Sequence, residues 1–112
     1  MTSDIHKELL WQIKGLLNID IGNYLFEKAG IDLYYEGDYE LNIYINDSKY
    51  VIPDKYGYID IEDLKIERMI FIGHYHADDL LWLLIHYETE KNKLLKRVDE
   101  YLEWKIYDIN KR

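Results

Sequence analysis

A chain of 112 residues, 48% hydrophobic and 15% aromatic with a single proline, has the size and apolar content of one folded domain and not of a disordered acidic tail. The lack of cysteine excludes a disulfide framework, a thiolate metal site and a cysteine nucleophile, and the longest apolar run, Leu80 to Ile85, is far shorter than the roughly 20 residues that span a bilayer. The net charge of −8 is lopsided: residues 32–63 hold nine acids against two lysines, whereas residues 64–112 balance nine acids with nine bases.

The start, Met1 to His6, has no basic cluster followed by an apolar core, so no secretory signal is expected and the expected compartment is a reducing cytoplasm. Lysine, isoleucine, tyrosine and asparagine are plentiful while arginine and alanine are scarce, a bias associated with AT-rich bacterial or phage genomes. No linker, repeat or low-complexity tract interrupts the chain, so residues 1–112 are expected to form one α+β domain.

Ser3 or Asp4 can cap a first helix over 4–18, in which Ile5, Leu9, Ile13, Leu16 and Leu17 recur at helical spacing. A second, shorter helix is predicted over 21–29, and Gly30 suits the left-handed cap after Ala29. The pattern then changes to a period of two. Ile31, Leu33 and Tyr35 alternate with Asp32, Tyr34 and Glu36; beyond a turn near Gly37, Leu41, Ile43 and Ile45 alternate with polar residues, which predicts a hairpin with one face buried. Asn46-Asp47-Ser48 reads as a second turn, followed by a strand at 50–52 that Pro53 ends, a brief strand at 58–61 and a more buried one over 65–72. From Asp78 the spacing is helical again, with Leu80, Leu84, Tyr87, Leu94, Val98, Tyr101 and Leu102 in one stripe that runs to about Tyr107 or breaks near 89–92. The expected architecture is an N-terminal helix pair, an antiparallel sheet of about four to five strands, and a long C-terminal helix on one sheet face. Trp11 and Trp82, inside apolar helix runs, are expected in the core, and Trp104 at its edge.

Few residues are suited to catalysis. The only serines, Ser3 and Ser48, and the only threonines, Thr2 and Thr89, have no base or oxyanion context, and the six glycines never take a phosphate-cradling spacing. Asp60 and Glu62 fall on one face of a predicted strand, an arrangement commonest as solvated acids. One fragment has metal-ligand chemistry: His74-Tyr75-His76-Ala77-Asp78-Asp79, which follows the apolar strand Met69 to Ile72. It resembles the metal-binding signature of the metallo-β-lactamase family, in which two histidines two residues apart leave a strand and an aspartate and a further histidine follow. The likeness implies a zinc hydrolase using His74, His76 and Asp78. It is confined to these six residues, and Asp79 stands where that signature has its last histidine.

The acid-rich segment also holds seven of the twelve tyrosines. Carboxylates repel phosphate backbones, so direct nucleic-acid binding is disfavoured, while a basic protein is steered toward such a surface. The strand pleat is expected to push Asp32, Tyr34, Glu40 and Tyr44 outward, with Tyr58, Asp60 and Glu62 extending the same acidic, phenol-bearing face. The expectation is therefore a binding protein without cofactor or catalytic residues: an inhibitor that occludes a basic surface, such as a toxin immunity protein or a phage anti-defence (anti-CRISPR-like) protein. The alternatives are a structural or regulatory phage or plasmid protein that forms a homodimer along the C-terminal helix, and a small metal enzyme at His74, His76 and Asp78.

Overall fold

In a computed structural model, residues 2–47, 49–50, 65–66 and 69–110 are described, with side chains over 4–47 and 69–107. Helix α1 (Thr2–Leu17) begins ahead of its expected cap, so Asp4 lies in the first turn, where a carboxylate favours the positive end of the helix dipole. The chain does not break into a pair of separate helices: α1 runs through a π-helical turn (Asn18–Gly22) directly into α2 (Asn23–Ala29). The backbone stays right-handed from Leu17 to Asn23, and the Asn23 amide donates to the Asn18 carbonyl, five residues back. The buried positions explain the wide turn. Leu17, Ile21 and Leu25 are spaced by four, and a regular helix would turn each by about 40° off the last. A π turn absorbs that drift and keeps all three in the core. Gly30 ends α2 with φ 68°, as expected of a left-handed cap.

The hairpin forms where the alternation places it. β1 (Asp32–Glu36) pairs antiparallel with β2 (Leu41–Asn46), Tyr34 facing Tyr44 across the ladder. β2 then pairs antiparallel with a later strand, which makes a three-stranded sheet with β2 in the centre. The predicted four or five strands do not share one sheet. β3 (Lys49–Tyr50) and β4 (Lys65–Ile66) form a separate two-stranded ladder, and β5 (Met69–Tyr75) is distinct from β4 and runs three residues past the predicted end of the strand. The brief strand expected at 58–61 lies outside the described residues.

The register of β5 slips once. Gly73 faces Ile43 and Phe71 faces Tyr44, so Ile72 is an extra residue in a β-bulge. Arg97 donates to the Ile72 carbonyl, meeting the hydrogen-bonding need of backbone at the bulge.

After a 3-10 turn (Ala77–Asp79), α3 (Leu80–Ile85) and α4 (Tyr87–Asn110) follow, broken at His86, a few residues before the predicted break. α4 packs on the inner sheet face through Leu94, Val98 and Tyr101, all from the predicted stripe. At Gly73 the helix comes so near that an added Cβ would lie 2.8 Å from Leu94 Cδ2. Ile43, Ile45 and Leu41 are fully buried beneath it, each such side chain contributing about 1.5–3 kcal/mol of transfer free energy.

Phenol–carboxylate bonds tie the N-terminal rod to α4: Tyr87 donates to Asp20 at 2.6 Å, and Tyr24 donates to Asp99. Burial, then the bond to Asp20, pushes the Tyr87 hydroxyl well above the usual phenol range, so it remains a donor.

Two tryptophans depart from expectation. Trp11 is 78% exposed and Trp82 47%. Each is next in sequence to, or between, core residues (Leu10; Leu80 and Leu83), and one step along a helix turns a side chain by about 100°. Trp104, expected at the edge, is half exposed. In α1, Leu10 is buried although it lies outside the predicted stripe, and Ile5 and Leu16 from that stripe are exposed.

Asp47, expected in a turn, is fully buried. It accepts from the Tyr101 hydroxyl and lies 3.0 Å from Lys105 Nζ, joining the end of β2 to α4. Glu90 is a second buried acid, reached by the Tyr75 hydroxyl at 3.0 Å and by Lys93 at 2.9 Å. Burial alone would raise its carboxyl, but the bonds from Lys93 and Tyr75 outweigh burial and hold it below the ordinary range. A depressed folded-state value contributes stability above the unfolded value that is lost as pH falls through the folded one. Glu90→Gln is therefore expected to be less stable than the parent at neutral pH and to converge with it on acidification, as urea unfolding between about pH 3 and 7 would show.

Candidate functional site

Among the described residues, the helices cover one face of the three-stranded sheet and none lies on the other. Side chains alternate along β1 and β2, so Asp32, Tyr34 and Glu36 share the open face with Asn42, Tyr44 and Asn46. Without the bulge, strict alternation from Phe71 would turn His74 and His76 inward. The extra residue at Ile72 reverses the parity, and Met69, Phe71, His74 and His76 are all exposed.

The rings of Tyr34, Tyr44 and Phe71 form a row across all three strands. Tyr34 and Tyr44 have centroids 6.2 Å apart, and Tyr44 meets Phe71 at 5.6 Å in an edge-on contact. Phe71 is nevertheless 55% exposed. Asp32 and Glu36 flank Tyr34 along β1, two residues to either side, opposite Asn46 and Asn42.

Of the residues singled out from the sequence, Asp32, Tyr34 and Tyr44 meet on this face. Glu40 is exposed but sits in the β1–β2 turn, beside the histidines. Tyr58, Asp60 and Glu62 lie outside the described residues. Not all of the acid and phenol content goes outward. Asp47 is in the core, and Tyr35 points inward, its hydroxyl donating to Asn18 Oδ1 at 2.6 Å and raised far above the usual phenol range by burial. Phe71 was not among the expected residues, because an apolar residue in an apolar strand reads as core; the bulge at Ile72 lets it share the outer face with His74.

Glu40, His74 and His76 form a second feature at the end of the same face. Candidate ligand atoms of the three residues all lie within 4.8 Å of one another, with His74 Nε2 3.8 Å from Glu40 Oε2 and the two imidazoles edge to face at 4.5 Å. Leu41 pairs with Tyr75, which sets the residue before β2 beside the residues flanking Tyr75. Gly37 allows the turn: its φ is 109°, and a Cβ there would lie 2.6 Å from the Glu40 carbonyl oxygen. Asp78, the third ligand implied by the metallo-β-lactamase likeness, is not in this cluster; it lines a shallow cleft that Glu40 and His76 share.

The hydrogen bonds around Asn42 orient one imidazole. The Glu36 carbonyl can only accept, so the Asn42 amide nitrogen faces it at 3.4 Å, and Asn42 Oδ1 faces His74 Nδ1 at 2.5 Å. That nitrogen therefore donates to Asn42, and Nε2 faces Glu40.

Among the described residues, no helix is long and apolar enough to cross a membrane. Comparison with protein-family models, with curated proteins and with solved structures finds no match to this chain.

Proposed function

We propose that the protein acts by binding, and that the open sheet face docks onto a basic protein partner and occludes it, as a toxin immunity protein or a phage anti-defence protein would. The observation that carries this reading is the Tyr34–Tyr44–Phe71 row, exposed at Tyr34 and Phe71 and half-buried at Tyr44, with Asp32 and Glu36 flanking Tyr34 on β1. Aromatic rings supply contact area at low entropic cost, and flanking carboxylates choose lysine- and arginine-bearing partners and speed their approach.

Tagged protein at low salt is expected to retain a partner with a basic surface. Tyr44→Ala combined with Phe71→Ser should weaken that capture by about 2 kcal/mol or more, and Asp32→Lys with Glu36→Lys should abolish its salt dependence. Retention by both double variants, with circular dichroism unchanged, would place the interface elsewhere.

A homodimer is the second reading. The apolar stripe of α4 packs on the sheet of its own chain, so a dimer along this helix would use Trp104, Ile106 and Tyr107, which are exposed near its C-terminal end. Sedimentation of the parent and of Ile106→Glu separates the two readings, because an apolar dimer would persist at high salt and be lost in the variant.

A further inference from the structure

We infer that Glu40, His74 and His76 form a binding site for a first-row divalent transition-metal ion, with zinc as the reference ion. The inference is independent of the docking reading. It rests on how the three side chains are presented to one another.

With Nδ1 engaged by Asn42, His74 turns its Nε2 toward the Glu40 carboxylate, 3.8 Å away. A candidate ligand atom of His76 lies within the same 4.8 Å set, so one cation placed among the three side chains can meet all of them.

The geometry is close to what such an ion needs. Bonds of about 2.0–2.1 Å in a tetrahedral zinc site hold ligands about 3.3 Å apart, so the widest separation must close by roughly 1.5 Å. All three side chains are exposed, and their torsions can supply that movement. Asn42 plays the part usual for a partner of a metal-bound histidine, fixing tautomer and ring orientation through the nitrogen remote from the metal. Two imidazoles with one carboxylate favour zinc and its first-row neighbours over calcium or magnesium, which prefer oxygen donors. Three protein ligands also leave a coordination position open to water or to a donor from a partner.

Isothermal titration of the full chain with zinc at neutral pH is expected to show one site of micromolar affinity, while magnesium gives no heat. His74→Ala and His76→Ala should each weaken zinc by more than about 100-fold, and Asn42→Ala, which removes only the outer partner, by about 10–100-fold. His6→Ala and His86→Ala should leave the isotherm unchanged. Because all three proposed ligands are exposed, circular dichroism of the variants is expected to match the parent. No heat at micromolar zinc would overturn the inference. Binding that survives in both His74→Ala and His76→Ala, or that is lost in His86→Ala, would overturn it as well.

Discussion

Asp47→Ala is expected to cost about 3–5 kcal/mol of folding stability, the usual consequence of removing one partner of a buried ion pair. Asp47 is fully buried, Lys105 is 12% exposed in its side chain, and Tyr101 donates to the same carboxylate. Alanine removes the carboxylate that both the ammonium and the hydroxyl meet, and the cost of their lost solvation is then less well offset. Against a total of about 5–15 kcal/mol for a domain of ordinary stability, the loss is large. Urea unfolding followed by circular dichroism would measure it. Asp47→Leu combined with Lys105→Met should recover most of the loss, since replacing both charges removes the desolvation cost as well as the attraction. A loss under about 1 kcal/mol in the single variant would show that Lys105 reaches solvent and that the pair contributes little, as exposed pairs do.

Gly73→Val is expected to destabilise the fold by about 1–3 kcal/mol through overpacking. The reason is the close approach of α4: the first added carbon already lies 2.8 Å from Leu94 Cδ2, with Ile43 Cδ1 at 3.8 Å, and Leu94 is buried with no solvent to turn into. The effect should therefore depend on the partner. In a Leu94→Ala background, which itself loses about 2–5 kcal/mol to the cavity it opens, Gly73→Val should be close to neutral or restorative. A double-mutant cycle by urea unfolding reads that coupling directly. Additive losses would mean that the helix moves away from the sheet instead of holding its distance. The backbone of Gly73 has no positive φ, so strain does not compete with packing as the cause.

The same two residues show what the sequence discloses and what it withholds. Alternation through Ile31 to Ile45 placed the hairpin, its turn and its buried face, because a one-sided strand writes its orientation at every second residue. The stripe Leu94, Val98 and Tyr101 marked the packing face of α4 in the same way. β5 did not yield to this reading. Its apolar run Met69 to Ile72 carries no alternation, and a bulge at Ile72 leaves no local mark on composition, so neither the outward turn of Phe71 nor that of His74 could be read ahead of the coordinates. The metal cluster was half legible: His74 and His76, two apart, suggested a ligand pair, but Glu40 joins them through strand pairing between residues more than thirty positions apart. Asp47 was misread for a related reason. Its neighbours describe a turn, while the side chains that bury it, Tyr101 and Lys105, come from the far end of the chain.

The wide turn at Asn18–Gly22 bears on how the N-terminal rod can change in length. A π turn holds one residue more than the α-helical turn it replaces. Shortening the segment by a single position would let the coil tighten into an ordinary helix, with everything from Leu25 onward keeping its bearing and drawing in by about 1.5 Å. The same deletion anywhere in α1 before Leu17 has no slack to absorb it and would swing the preceding side chains about a quarter-turn out of their seats. Tolerance of insertion and loss along this rod is thus gathered at one spot, beside the Tyr35 and Tyr87 hydroxyls that grip Asn18 and Asp20.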